Sequence, residues 1–476
     1  MSRINLTRIA GVIIFSSMIL SAAFAQTYNV LTSFTGPNGG TAYGPLIQGA
    51  DGRLYGTTNW AGGGFYPAGT VFRITTSGAL TTLNNFCPTS TCTASGPEVG
   101  VTQGIDGYFY GTTSGNASIF KMNSAGKMAI LHTFPSGSGW PGINGLIQSA
   151  DSNLYGLTDF GSNGSVYKIT PAGVFTTVAA LNGNPEGLTQ SPQGNFYIAL
   201  ASGGAHNFGA IQKMTPDGTV STLYDFCPQN GCSDGQYPGA NVVVGNDGNI
   251  YGTTTEGGPN GGGTVFKLTP TGKLTTLYSF CAETNCADGW YPLGLMQGAD
   301  GNLYGVTYYG GPNAGNVFSG GAGTLYKITP TGSFTQLYSF CSQTNCADGS
   351  NPFGGLVQDT NGKFYGTTNY GGENASNCPA GYEFQPCGTV FSLSVGLGPF
   401  VALPINTAPA GTTVGILGQG LSGTASVTFN GTPAAFTIKG DTYLTATVPS
   451  GATSGRVKVT TSSGSLTSNR IFYVQP

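Results

Sequence analysis

Asp51-Gly52-Arg53-Leu54-Tyr55-Gly56-Thr57-Thr58 is written seven times in this chain. The phrase returns, with small changes, around Tyr110, Tyr155, Tyr197, Tyr251, Tyr304 and Tyr365. A second phrase follows each copy, as in Val71-Phe72-Arg73-Ile74-Thr75 and Val265-Phe266-Lys267-Leu268-Thr269. Self-similarity at such a period marks stacked or circularly arranged supersecondary units. The intervals between marker tyrosines are 55, 45, 42, 54, 53 and 61 residues. A constant phrase with variable spacing places the variation in loops.

Each unit holds four strand candidates. In one copy they are Leu295-Met296-Gln297, Leu303 to Thr307, Thr324 to Ile328 and Phe334 to Phe340. Asp300-Gly301-Asn302 joins the first two as a tight hairpin. Thr329-Pro330-Thr331-Gly332 turns the chain before the fourth, with Pro pre-set for a turn and Gly free to take positive φ. No helical periodicity follows the N-terminal segment. Four antiparallel strands repeated seven times describe an all-β, seven-bladed β-propeller with four-stranded blades. Its phase is offset. Asn29-Val30-Leu31-Thr32-Ser33-Phe34 matches a fourth strand, and Gly388 to Leu393 matches a third. The N-terminal strand is therefore expected to complete and close the last blade.

The repeat ends near Ser394. Residues 395–399 read as a linker, and residues 400–476 as a small Ig-like β-sandwich of short alternating strands. At the other end, Arg3, Arg8, the apolar run Ile9 to Leu20 and Ala23-Phe24-Ala25 read as a cleaved signal peptide over residues 1–25. The run is too short to span a bilayer as a helix. No cysteine follows the cut, so a lipid anchor is not expected. The propeller then occupies residues 26–394. A secreted, extracellular or periplasmic location follows, with no membrane insertion of the mature chain.

Charged residues make up only 7% of the chain. Loss of Arg3 and Arg8 leaves 14 basic and 19 acidic residues, a net charge of −5. That excludes the basic stripe a nucleic-acid partner needs. Ten cysteines fit an oxidising compartment. Four pairs share a C-x4-C spacing: Cys87 and Cys92, Cys227 and Cys232, Cys281 and Cys286, Cys341 and Cys346. Cys378 and Cys387 form a fifth. All five are read as local disulfides rather than zinc half-sites, since no histidine lies near them. No metal and no cofactor is expected.

Two phrases, Gly248-Asn249-Ile250-Tyr251-Gly252-Thr253-Thr254 and Gly263-Thr264-Val265-Phe266-Lys267-Leu268-Thr269-Pro270, resemble the GloVer tandem repeat of exported bacterial choice-of-anchor proteins. The resemblance covers about residues 28–393 and implies export and repetition, with no activity to carry over. Gly411-Thr412-Thr413-Val414, Ile416 to Leu421, Val427 to Ala434 and Thr447-Val448-Pro449 resemble an IPT/TIG domain, with Leu421 in place of the usual aromatic. Such domains serve in exported proteins as spacers or contact surfaces.

In this phase, the links from second to third strand and from one blade to the next share one face of the ring. They carry Trp60, Phe160, Tyr309 and Tyr370 in the first family, and Trp140, Tyr237, Trp290 and Tyr291 in the second. Trp60, Trp140, Phe160, Trp290, Tyr309 and Tyr370 are the candidate ligand-binding residues, because aromatic faces stack on sugar rings and apolar peptide groups. No catalytic residue is assigned. Asp159, Glu256, Glu373 and Glu383 fall in these loops but form no recognisable pair. His132 and His206 lack a nucleophile motif. Gln48, Gln103, Gln148, Gln190, Gln297 and Gln358 end the first strands and are read as a repeated structural hydrogen bond. The Asp-Gly turns are read as hydrogen-bonded turns rather than calcium loops. The expected function is non-enzymatic recognition of an extracellular glycan or surface protein. A carbohydrate-active enzyme on the same face and a structural surface component are the alternatives.

Overall fold

Seven sheets follow one another along the chain, each carrying one copy of the repeat. The computed structural model describes residues 26–59, 68–86, 94–135, 140–141, 145–159, 163–228, 231–313, 320–373 and 387–475. The proposed leader lies outside these. Blades are numbered here from the marker Tyr55. Blade 5 is representative: Gln236–Val244, Ile250–Glu256, Thr264–Leu268 and Leu274–Ser279 pair in that order, all antiparallel. Blade 3 differs in having two short first-strand segments, Trp140–Pro141 and Ile147–Gln148, both paired to Leu154–Asp159.

Burial explains the repeated phrases. Second strands such as Leu54–Thr58 are buried at every position. Third strands such as Thr70–Ile74 are buried except at the charged residue. Both are sandwiched between neighbouring blades, so they show no polar alternation. Fourth strands such as Leu274–Ser279 are half-exposed. The Gly that follows the marker tyrosine in six of the seven copies has a packing reason. In blade 5, Gly252 pairs with Phe266, and a Cβ on Gly252 would lie 2.6 Å from the Phe266 ring. Blade 4 replaces both members: Ile198 stands opposite Gln212.

The ring closes at the N-terminal strand. Thr27–Ser33 pairs antiparallel with Thr389–Ser394, with Val30 opposite Phe391. Phe34, Leu46, Leu54, Phe72, Tyr365 and Val390 form one buried cluster across the blade 7–blade 1 junction. Tyr28 stacks on Tyr338 of blade 6 at 3.8 Å. The glutamines form the expected ladder. Gln103, Gln148, Gln297, Gln358 and Gln48 each accept from the hairpin backbone of the preceding blade, through Ala50, Ile105, Asn246, Ala299 and Thr360, at 2.8–3.1 Å. Gln190 donates to its own turn at Gly194. In five blades the hairpin Asp accepts from the marker Tyr hydroxyl at 2.7–2.9 Å.

Residues 407–475 fold as two packed sheets. Val414, Ile416, Leu421, Phe429, Leu444, Val457 and Phe472 fill the space between them. Leu421 is fully buried there. The linker lies on the ring: Val395 and Leu397 pack against the core between blades 6 and 7.

Candidate functional site

The two faces of the ring carry different chain segments. One face holds the Asp-Gly hairpins and receives the C-terminal domain. Thr442 donates to the Ala50 carbonyl of blade 1 at 2.9 Å, and Asn246 of blade 5 donates to the Asn469 carbonyl at 3.1 Å. The opposite face holds the long loops and disulfides.

Three bridges are seen on the loop face: Cys227–Cys232, Cys281–Cys286 and Cys341–Cys346, with Cα atoms 4.0–4.2 Å apart. Cys387 is also disulfide-bonded. Cys87, Cys92 and Cys378 lie outside the described residues. Beside each bridge, two residues past its second cysteine, lies a carboxylate hub. Asp348 accepts from Tyr338 Oη at 2.6 Å, Ser342 N at 2.9 Å, Ser342 Oγ at 2.8 Å and Gln343 N at 3.2 Å. Asp288 repeats this with Tyr278, Ala282 and Glu283, and Asp234 with Tyr224 and Cys227. Asp288 and Asp348 are fully buried, and their donors replace the water a carboxylate needs. Burial, and then the Asp acceptor, push the Tyr278 and Tyr338 hydroxyls well above the usual phenol range. Tyr28 of the closing strand donates to the Asp348 carbonyl at 2.7 Å.

These rigid loops frame a band of rings. Tyr43 meets Phe353 edge-on at 5.0 Å, and Phe353 meets Tyr308 at 5.7 Å. Tyr308 meets Tyr309 at 4.6 Å, and Tyr309 stacks on Trp290 at 4.6 Å and 22°. Trp290 Nε1 donates to the Gly320 carbonyl. Burial and the neighbouring Tyr370 hydroxyl raise the Tyr308 pKa; burial, Tyr370 and Glu98 raise that of Tyr43. The band thus runs across blades 1, 7 and 6. Its inner end reaches a cavity of about 620 Å³ on the ring axis, lined by Tyr43, Asn59, Glu98, Asn241, Phe353 and aliphatic first-strand residues.

Of the candidate aromatics, Trp290, Tyr309 and Tyr370 come together. Trp60 and Phe160 lie outside the described residues, and for Trp140 only the backbone is described, paired to Asp159. Tyr309 and Tyr370 end second strands rather than starting loops. The acidic candidates are dispersed. Glu256 accepts from Gln236, Asn184 donates to both oxygens of Asp159, and Glu373 is tied by its backbone to Ser33. Glu383 lies outside the described residues. Among the described residues no group of three metal-binding side chains converges. His132 stacks on Phe175 at 4.2 Å, and burial lowers its pKa.

Sequence reasoning missed Tyr43, Tyr308 and Phe353, which join the band only through space. It also missed Asp234, Asp288 and Asp348. A signal for these existed: C-x4-C-x-Asp-Gly follows Tyr-x-Phe in three copies. In blade 1, Asn84 and Ala94 replace the Tyr and Asp together.

The repeat and its geometry agree with a known family. The Gloeobacter/Verrucomicrobia repeat matches residues 16–163 and 142–380. The chain belongs to this repeat family. The C-terminal sandwich of this Gloeobacter/Verrucomicrobia repeat protein matches the IPT/TIG domain over residues 402–473. No curated protein matches the sequence. Among solved structures, the repeat protein is similar to virginiamycin B lyase from Staphylococcus aureus, at 14% identity and a TM-score of 0.51, over 77% of this chain and 99% of that one. A gluconolactonase from Xanthomonas campestris (15% identity, TM-score 0.39, 61% of this chain and 88% of that one) is also similar. So is a PQQ-bound aldose sugar dehydrogenase from Streptomyces coelicolor (13%, 0.38, 60% and 92%). At these identities the likeness concerns fold alone.

Proposed function

We propose that this is a secreted, non-enzymatic binding protein that holds an extracellular glycan on the loop face of its propeller. The aromatic band from Tyr43 to Trp290 is the observation that carries the reading. Its rings are partly exposed, and stacking on such rings suits the apolar faces of sugars. Asn59 and Asn241 add amides in the adjoining cavity. The disulfide loops supply rigidity, which lowers the entropy lost on binding. The leader-like N-terminus and the disulfides support export. A surface protein as the ligand is the other form of this reading, and a carbohydrate-active enzyme on the same face and a structural surface component are the alternatives. Glycosidases need two facing carboxylates, and Glu98 is the one acidic residue lining the cavity among the described residues.

A glycan array followed by calorimetry tests this. The wild type should bind an oligosaccharide without releasing product. Trp290→Ala and Tyr309→Ala should each weaken binding about tenfold or more, on the scale of a lost aromatic anchor, with unchanged circular dichroism. Product formation would favour the enzyme. Unchanged affinity in both variants would remove the band from the site.

A further inference from the structure

The hairpin of blade 7 departs from the other six at the residue six before the marker tyrosine. Gly49, Gly104, Ser149, Ser191, Gly245 and Gly298 stand there in blades 1–6; blade 7 has Asp359. A Cβ on Gly49 would lie 2.6 Å from the Tyr55 ring, so the position tolerates bulk poorly. Blade 7 nevertheless buries a whole carboxyl. Asp359 is 0% exposed, and its Oδ2 has no hydrogen-bond partner. The turn uses only one of its oxygens, Oδ1, which accepts from the Asn361 amide at 2.8 Å; the usual place of the hairpin Asp is taken by Asn361, which donates to the Tyr365 hydroxyl at 2.8 Å.

The IPT/TIG domain lies against this residue. Gln419 Nε2 donates to Asp359 Oδ1 at 3.3 Å and to Thr360 Oγ1 at 2.8 Å. The Phe400 amide donates to the Thr360 carbonyl at 3.0 Å. From blade 7 the domain reaches blade 1 at Ala50 and blade 5 at Asn246, so it crosses the axis of the ring. A second cavity, of about 490 Å³, lies between the hairpins and the domain residues Ala402, Leu403, Ile405 and Leu417. It shares Ile47 and Thr102 with the axial cavity of the loop face. The channel therefore has a floor, and the floor is the IPT/TIG domain.

We propose that the IPT/TIG domain is a releasable floor of the propeller channel, latched at blade 7 by Asp359 against Gln419, holding while that carboxyl is protonated and loosening when it ionises. The cost of ionising it falls on the docked state, where the carboxyl is shut off from solvent and Oδ2 has no donor, while Oδ1 accepts from the Asn361 amide at 2.8 Å and from Gln419 at 3.3 Å. Few charged groups on the surrounding elements offset it. On blade 7, Tyr365 and Lys363 flank the turn; Lys363 is exposed and contributes its backbone carbonyl. On blade 1, Asp51 and Arg53 pair with each other. On the IPT/TIG domain, Gln419 is neutral, and Asp441 is exposed and bound to Ser422. Burial raises the Asp359 pKa to about 6, against 3.8 for a free Asp. A carboxyl raised in the docked state favours docking fully below its undocked pKa, and that contribution is lost as pH rises through about 6.

Amide exchange of Phe400, whose N–H spans the interface, reads the latch in the full chain. The ratio of its rate in wild type to that in Asp359→Asn, at matched pH, cancels the intrinsic pH dependence. The ratio should be near one at about pH 4, climb about tenfold per pH unit, and level off at about a hundredfold above pH 6. Asp359→Gly, which restores the residue of four of the other six blades, should show no such climb against Asp359→Asn. Protected amides in Ile250–Glu256 of blade 5 report that each variant is folded. A flat ratio from pH 4 to pH 8, or a climb retained in Asp359→Gly, overturns the proposal.

Discussion

The hairpin face and the loop face are made by the same seven repeats, yet the repeats behave differently on each. On the hairpin face they are nearly interchangeable. Glutamine meets the neighbouring turn, Asp meets the marker tyrosine, and the polar groups are satisfied blade after blade. On the loop face the residue after Tyr-Gly-Thr-Thr, or its equivalent, is Asn59, Ser114, Asp159, Ala201, Thr255, Tyr308 and Asn369 in turn. Uniform positions close the ring, and varied positions give it a chemical identity. Two hairpins depart from the pattern: blade 4 has no hairpin Asp and its Gln190 bonds its own turn, and blade 7 carries Asp359, where another domain is latched. Variation inside a repeat is thus a guide to function on either face.

The sharpest way to break the uniform half is to remove its closure. Deleting residues 26–34 takes away the outer strand of blade 7 together with Tyr28 and Phe34. Losing two buried aromatics costs about 3–5 kcal/mol each, so the thermal midpoint should fall by about 10 °C or more. An unchanged melting curve would mean that the ring does not depend on this strand. On the loop face, Asp348→Ala leaves a buried tyrosine hydroxyl and two amides without an acceptor. The expected loss is about 3 kcal/mol, with faster exchange confined to the Cys341–Cys346 loop and the end of blade 7. A loss spread evenly over the ring would contradict the hub assignment. The smallest effect belongs to the ladder. Gln297→Leu removes one inter-blade acceptor and should cost about 1–2 kcal/mol by chemical denaturation. The corresponding change at Gln190, which bonds only its own turn, should cost less.

Much of the uniform half is legible in the residues. The phrase and its spacing define the strands, and the offset between Asn29 and Leu393 fixes the closing pair. The C-x4-C spacing gives the local bridges. What could not be read is whatever depends on superposing blades. Tyr43 and Phe353 are about three hundred residues apart in sequence and meet only because blade 7 returns to blade 1. Trp290 and Tyr309 share one blade and stack there, whereas Trp140 belongs to blade 3. Asp359 was not singled out in the sequence. Its offset of two residues from the other hairpin aspartates is visible in the sequence, but only the docked IPT/TIG domain gives the offset a meaning.

The closing strand stands at the beginning of the chain, and its partner comes more than three hundred residues later. During synthesis, Val30, Leu31 and Phe34 therefore wait for a partner that is more than three hundred residues away. The cysteines of each seen bridge are only five residues apart, so each bridge can form without proofreading between distant thiols. The folding chain passes through a stage with stapled loops and an apolar strand still unpaired. That strand is the segment a holdase would have to shield until synthesis ends.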